Sequence, residues 1–191
     1  MAITEPTVGS DVAGIKTTAK RSADGKHFIV NGTKKWITNG TFCDYFTTAV
    51  VTEKGISMLL IERSEGLETT PIKTSYSACA GTAYITYENV KVPVENLLGK
   101  EGKGFQVIMF NFNHERWVIN NSVIGASRLI IDECFKWANQ RKVFGKKLLS
   151  QPVIRNKLAH MVRIFFEFFG IFCHYFLLFL LFRRNILEFY S

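Results

Sequence analysis

The sequence predicts an α+β chain, a small antiparallel β-barrel or sandwich followed by long helices. Three observations predict it. Up to residue 98, short β-branched and aromatic runs alternate with turn residues, as in an all-β unit. Residues 99–104 read Gly-Lys-Glu-Gly-Lys-Gly, and such a glycine-dense stretch marks a break between elements. Beyond it, apolar residues recur at helical intervals. The chain shows no β-α-β alternation, which disfavours a parallel doubly wound domain.

Taken in order, residues 28–30 and 35–38 flank Asn31-Gly32. Both of those residues tolerate φ > 0, so the pair predicts a hairpin. Residues 45–51 and 56–61 are rich in β-branched and aromatic or aliphatic side chains and predict two further strands. Residues 84–87 predict a short alternating strand, closed by a turn around Asn89 and Val92-Pro93. The glycine-rich 99–104 stretch lacks the GxGxxG and GxxxxGK[ST] spacings of phosphate loops and reads as a β-to-α linker. One long helix, or two with a kink, is expected over 103–140, ending at the loop around Gly145. A second helix is expected from Pro152, a residue suited to a first helical turn.

The apolar fraction is 47% and the charged fraction 21%, ordinary values for a globular chain. The net charge is +8, but the Lys and Arg are scattered rather than interleaved with aromatics, so a nucleic-acid partner is not expected. A basic surface also suits an anionic phosphorylated ligand. The four cysteines, Cys43, Cys79, Cys134 and Cys173, form no C-x-x-C, which reads as a reduced intracellular chain. The four histidines show no H-x-x-x-H or H-E-x-x-H spacing, so no metal site is expected. No targeting segment is visible ahead of residue 4.

Three motifs carry the chemistry. They are Thr4-Glu5-Pro6-Thr7-Val8-Gly9-Ser10-Asp11, then Trp36-Ile37-Thr38-Asn39-Gly40, then Arg141-Lys142-Val143-Phe144-Gly145. Read singly, Ser10-Asp11 and Thr38-Asn39-Gly40 are also plain turns and Trp36 is also plain core. Together and in this order they resemble the acyl-CoA dehydrogenase family, with its TEPxxGSD, W-(I/T)-T-N-G and RKxFG motifs. The resemblance covers residues 1–161.

That resemblance implies a middle β-domain over 1–98 and the start of a C-terminal helical domain over 99–161. The latter would be an incomplete helical bundle, with an exposed apolar stripe along its long helix. It implies a flavin-dependent oxidoreductase that uses FAD to introduce a double bond into an acyl-CoA thioester. A carboxylate takes the α-proton and a hydride leaves the β-carbon for flavin N5. Thr4 would lie beside the flavin ring and Thr38 at its N5/O4 edge. Trp36, followed by Ile37, would pack on the flavin away from substrate. Ser10 would touch the pyrophosphate or the pantetheine arm of CoA. Arg141 would approach the FAD of a neighbouring subunit, with Phe144 near the adenine, which implies a homo-oligomer. Here the chain departs from the pattern, placing Pro152 where the family usually has Gln, with Gln151 one position early.

The resemblance places a base at Glu115 in Phe112-Asn113-His114-Glu115-Arg116, with Asn113 and Arg116 facing the acyl-CoA. A buried carboxylate there would have its pKa raised, which suits α-proton abstraction; the other reading of Glu115 is an exposed helix residue paired with a neighbour. The family setting is mitochondrial, peroxisomal or cytoplasmic. The electron acceptor and acyl length are not legible.

Residues 162–191 form a Phe/Leu-rich tail unlike the family. Residues 164–182 are apolar on all sides and long enough to span a bilayer, with Arg163, Arg183 and Arg184 at the ends and Glu167 and His174 inside. Translated non-coding sequence, a membrane anchor and a buried helix of a larger assembly are the three readings. A second reading of the whole chain is therefore a non-catalytic remnant or membrane-anchored fragment of such an enzyme.

Overall fold

A computed structural model describes residues 1–75 and 77–190, the side chains of 172 and 175–190 excepted. The chain divides into two compact units, Met1–Phe112 and Asn113–Ser191.

The first unit is built on one seven-stranded sheet. Its strands are β1 (Thr18–Arg21), β2 (His27–Ile37), β3 (Tyr45–Thr52), β4 (Gly55–Glu62), β5 (Leu67–Pro71), β6 (Ala83–Pro93) and β7 (Leu97–Leu98). They lie in the order β5-β6-β2-β1-β3-β4-β7. The sheet has two edges, β5 and β7, so the barrel alternative is not realised; barrel closure requires every strand to be paired on both sides. Nor is it wholly antiparallel, because β1 pairs with β3 in parallel, Thr18 opposite Val51.

Strand alternation sorts the core. On β4, Leu59 and Ile61 enter a cluster with Phe28, Val30, Phe46, Ile85, Tyr87, Val90 and Val92, while Met58 points to the other face. Successive strand residues point to opposite faces, so the run 56–61 covers both. The second cluster joins Met58 and Ala49 to Ile3, Val8, Val12 and Ile15. It is closed by Ile108, on the first turns of α1 (Gly104–Gln140).

The linker at 99–104 is a β-to-α connection, as its glycines require. A Cβ on Gly104 would lie 2.6 Å from the Ser57 backbone, and the Gly102 amide donates to Ser57 Oγ at 2.8 Å. The start of α1 can therefore sit directly on β4.

Two sequence expectations are corrected. Asn31-Gly32 is not a hairpin turn but lies inside β2. There the register with β6 shifts, Val30 pairing Val90 and Gly32 pairing Tyr87, so Glu88-Asn89 oppose Asn31 alone as a β-bulge. Asn31 and Asn89 lock it reciprocally. Asn89 N donates to Asn31 Oδ1 at 2.9 Å, and Asn31 Nδ2 donates to Asn89 Oδ1 at 3.1 Å. For the same reason Asn89, with φ 52, does not close β6, which continues to Pro93. The hairpin into β2 is made earlier, across Ser22 to His27, where Gly25 has φ 71.

α1 is one uninterrupted helix that begins in the first unit and continues into the second. It is followed by the hairpin of β8 (Lys142–Val143) and β9 (Lys146–Lys147), and then by α2 (Pro152–Tyr190). α2 begins at Pro152, as expected. Many of its described apolar side chains and those of α1 are exposed, among them Ile119, Leu129, Ile130, Phe166 and Phe168. Among the described residues no helix is long and apolar enough to cross a membrane. The membrane contact expected over 164–182 rests in part on residue 172 and residues 175–182, whose side chains are not described.

Candidate cofactor site

The first motif is tied to the residue just before the second. Lys35 N donates to Thr4 O at 2.9 Å, and the Thr4 hydroxyl donates back to Lys35 O. This reciprocal pair binds the N-terminal loop to β2 one residue before Trp36.

Trp36 sits in a second bulge of β2. The pairing jumps from Lys34–Ile85 to Ile37–Ala83, and Trp36 has φ 65. A bulky side chain in the left-handed region is uncommon and costs free energy. Here it turns the indole outward, leaving Trp36 55% exposed while its neighbour Ile37 is buried. Bulges re-aim side chains in this way beside functional sites. The plain-core reading of Trp36 is therefore not what the fold does. The Lys35 ammonium covers the indole at 4.8 Å from its centroid.

Thr38, exposed, follows on a turn that is held from three sides. Asn39 N donates to Ala80 O at 2.8 Å, and Thr41 N donates to Gly81 O at 3.1 Å. Arg63 grips the turn from β4's end, donating from Nη2 to Gly40 O at 2.9 Å and from Nε to Cys43 O at 3.1 Å. Its Nη1 donates to Thr69 Oγ1 at 3.0 Å. No local sequence pattern distinguishes Arg63 from a surface arginine.

A second missed feature lies under Thr4. Lys34 is fully buried and Glu5 is 6% exposed. Lys34 Nζ donates to Glu5 Oε1 at 2.9 Å and to Ile3 O at 2.8 Å. Glu5 also accepts from Thr17 N, Thr17 Oγ1 and Lys16 N at 2.9, 2.7 and 2.8 Å. Burial alone would raise the Glu5 carboxyl, but the hydrogen bonds from Thr17, Lys34 and Lys16 outweigh it and hold it below the ordinary carboxylate range. Burial pulls the Lys34 amine below its usual range, and the contact with Glu5 opposes this in part.

Ser10 is exposed in the loop that follows. Trp36 and Thr38 are thus exposed on a braced sheet end beside the half-buried Thr4, whose hydroxyl is engaged by Lys35 O. None of the three is a carboxylate, and that set fits a flat, uncharged ring system such as an isoalloxazine.

In the second unit Asn113, Glu115 and Arg116 are exposed on α1, with Arg116 Nη1 donating to Asn113 Oδ1 at 3.2 Å. The described residues do not supply the burial expected of Glu115. Arg141 follows α1, its guanidinium over Trp137 at 5.9 Å from the ring centroid. Phe144 and Gly145 form the two-residue turn of the hairpin with φ 51 and 75. Positive φ at both central residues is what a tight primed turn demands. Phe144 is 96% exposed at its tip. Among the described residues, no three His, Cys, Asp or Glu side chains converge as a metal site would require.

Two family models match the chain, "Acyl-CoA dehydrogenase, middle domain" over residues 1–90 and "Acyl-CoA dehydrogenase, C-terminal domain" over residues 102–165. Among curated proteins, acyl-CoA dehydrogenase apdG of Emericella nidulans is 50% identical over 165 residues, 83% of this chain and 38% of that protein. A probable acyl-CoA dehydrogenase from Mycobacterium abscessus superposes with a TM-score of 0.76 at 38% identity, over 86% of this chain and 45% of the other. An acyl-CoA dehydrogenase from Bacillus anthracis, solved in complex with FAD, gives a TM-score of 0.74 at 35% identity, over 84% of this chain and 28% of the other. The chain spans less than half the length of each of these relatives.

Proposed function

The chain belongs to the acyl-CoA dehydrogenase family, whose members are flavin oxidoreductases acting on CH–CH groups, and from that premise we propose that it forms the flavin-facing part of an enzyme that dehydrogenates an acyl-CoA thioester at the α,β bond. The observation that supports this best is the double hydrogen bond between Thr4 and Lys35. It brings two motifs distant in sequence to one sheet end, beside an outward-turned Trp36.

In this reading Thr4, Trp36, Ile37 and Thr38 hold the isoalloxazine of FAD. Ser10 contacts the pyrophosphate or the pantetheine arm. FAD, when bound, supplies a two-electron acceptor for the hydride that leaves the β-carbon. Glu115 takes the α-proton, and Asn113 and Arg116 orient the acyl-CoA. Neutral hydroxyls and backbone amides around the ring suit the charge that builds on it during reduction. Arg141 and Phe144 serve the FAD of a neighbouring subunit. Arg suits a pyrophosphate because its fork is bidentate, and a fully exposed Phe144 is suited to contact beyond its own chain.

The test is visible absorbance of the purified 191-residue chain after incubation with excess FAD and gel filtration. Stoichiometric yellow protein is expected. Addition of acyl-CoA should then bleach the flavin, and Glu115→Gln should keep the colour while abolishing the bleaching. A folded but colourless wild-type chain sinks the cofactor assignment. A yellow Glu115→Gln chain that still bleaches at the wild-type rate removes Glu115 as the base.

A further inference from the structure

We infer that Glu5 and Lys34 are positioning residues of the cofactor site, a buried ion pair that fixes how Thr4 and Trp36 face their ligand; this rests on the cofactor reading above. The geometry argues for it. Glu5 directly follows Thr4 and Lys34 directly precedes Lys35, so the ion pair lies next to the Thr4–Lys35 double hydrogen bond. Lys34 Nζ also holds Ile3 O. Both neighbours of Thr4 in the chain are therefore anchored by one ammonium group.

Glu5 extends the brace to a third segment. Its carboxylate takes Lys16 N, Thr17 N and Thr17 Oγ1, and Thr17 Oγ1 also reaches Thr33 O at 3.2 Å. The N-terminal loop, the entry to β1 and the middle of β2 thus converge on one carboxylate, immediately before the bulge that turns Trp36 outward. A buried ion pair is a poor source of stability, because desolvation offsets the attraction and apolar pairs of similar volume often serve as well. It is a good source of register, because charge and hydrogen-bond geometry accept few alternatives. Stability therefore gives a weak reason for this pair, and alignment of the displayed face gives a stronger one.

The test compares the wild-type 191-residue chain with Glu5→Gln and with the double variant Glu5→Leu/Lys34→Met. The single substitution keeps an acceptor oxygen for Lys34 and Thr17 but leaves the buried Lys34 ammonium without its counter-charge and turns an amide NH2 toward Lys16 N, so the double variant carries the test. The double substitution removes both charges together and so leaves no lone buried ion to unfold the chain. Hydrogen exchange of the 34–38 segment in the FAD-free chain reports the lock itself. The FAD Kd and the band shape of the bound flavin report its consequence. The double variant is expected to remain folded by circular dichroism and to exchange faster at 34–38. It should bind FAD roughly tenfold more weakly, the scale of one lost hydrogen bond. A folded double variant with wild-type exchange, Kd and band shape overturns the inference and leaves the cofactor reading standing. A wild-type chain that takes up no FAD sinks that reading, and the inference falls with it.

Discussion

Arg63 and Gly40 are joined across the first unit, the guanidinium Nη2 donating to the Gly40 carbonyl at 2.9 Å while Nε takes Cys43 O. The ring of Phe46 lies under the same guanidinium, 5.3 Å from centroid to Cζ. The turn that carries Thr38 is therefore held by a rigid planar fork from the end of β4, which a lysine could not match. Arg63→Met is expected to cost roughly 1.5–3 kcal/mol, the range for hydrogen bonds to a charged group, read as a lower urea midpoint. An unchanged midpoint would show that the turn holds itself.

Acid stability follows from Glu5. Its folded carboxyl lies below the ordinary value: burial pushes it up, and the bonds from Thr17, Lys34 and Lys16 more than reverse that. The unfolded chain therefore binds the proton more readily than the folded one in the window between the two values, and stability falls as pH falls through it. The contribution of Glu5 is complete above about pH 4.3, the ordinary Glu value, and is lost below it. Melting temperature measured from pH 7 downward should fall more steeply for wild type than for Glu5→Gln. Parallel curves would mean that other carboxylates, such as Glu101 beside Lys54 and Arg21, carry the acid response.

The hairpin tip makes a different trade. Phe144 adopts φ 51 and is 96% exposed, so it adds strain and gains little packing within its own chain. Phe144→Asn places Asn-Gly at the two central positions, the favoured pair for this turn. We expect a gain of about 1 kcal/mol in urea unfolding, from relief of the left-handed strain. If Phe144 serves a neighbour's FAD as proposed, the same variant should lower flavin content in the assembled protein while the chain itself grows more stable. A loss of stability would instead mean that Phe144 is held by its own unit.

The strands at 45–52 and 55–62 were legible because each carries apolar side chains on both faces, with Met58 and Leu59 entering different clusters. The long helix was legible from its period. β1 and β5 were not. Thr-Ala-Lys-Arg and Leu-Glu-Thr-Thr-Pro have little strand character of their own, and are extended because β2, β3 and β6 pair with them. At the site, Thr4 and residues 36–38 were legible as motifs, but what joins them was not. Lys34 and Glu5 belong to residue types almost always found on surfaces, and their burial is decided by contacts between segments far apart in the chain.

Gly32 shows the same limit and supplies a sharp test. Beside Asn31 it looked like a turn residue, yet what selects glycine is a close approach inside the sheet. A Cβ at Gly32 would lie 2.7 Å from Thr17 Cα and from Thr17 Oγ1, the residue that gives Glu5 two of its hydrogen bonds. Its φ of 144 adds strain for any L side chain. Gly25 is the natural control, with φ 71 but open space where a Cβ would go. Gly25→Ala should cost about 1 kcal/mol, from backbone strain alone. Gly32→Ala should cost more, roughly 2–4 kcal/mol, because overpacking against a backbone atom is added. Urea midpoints decide it. Equal losses would mean that the β1–β2 approach relaxes freely. A larger loss at Gly32, with faster exchange at Lys16 and Thr17, would show that the glycine keeps Thr17 within reach of Glu5.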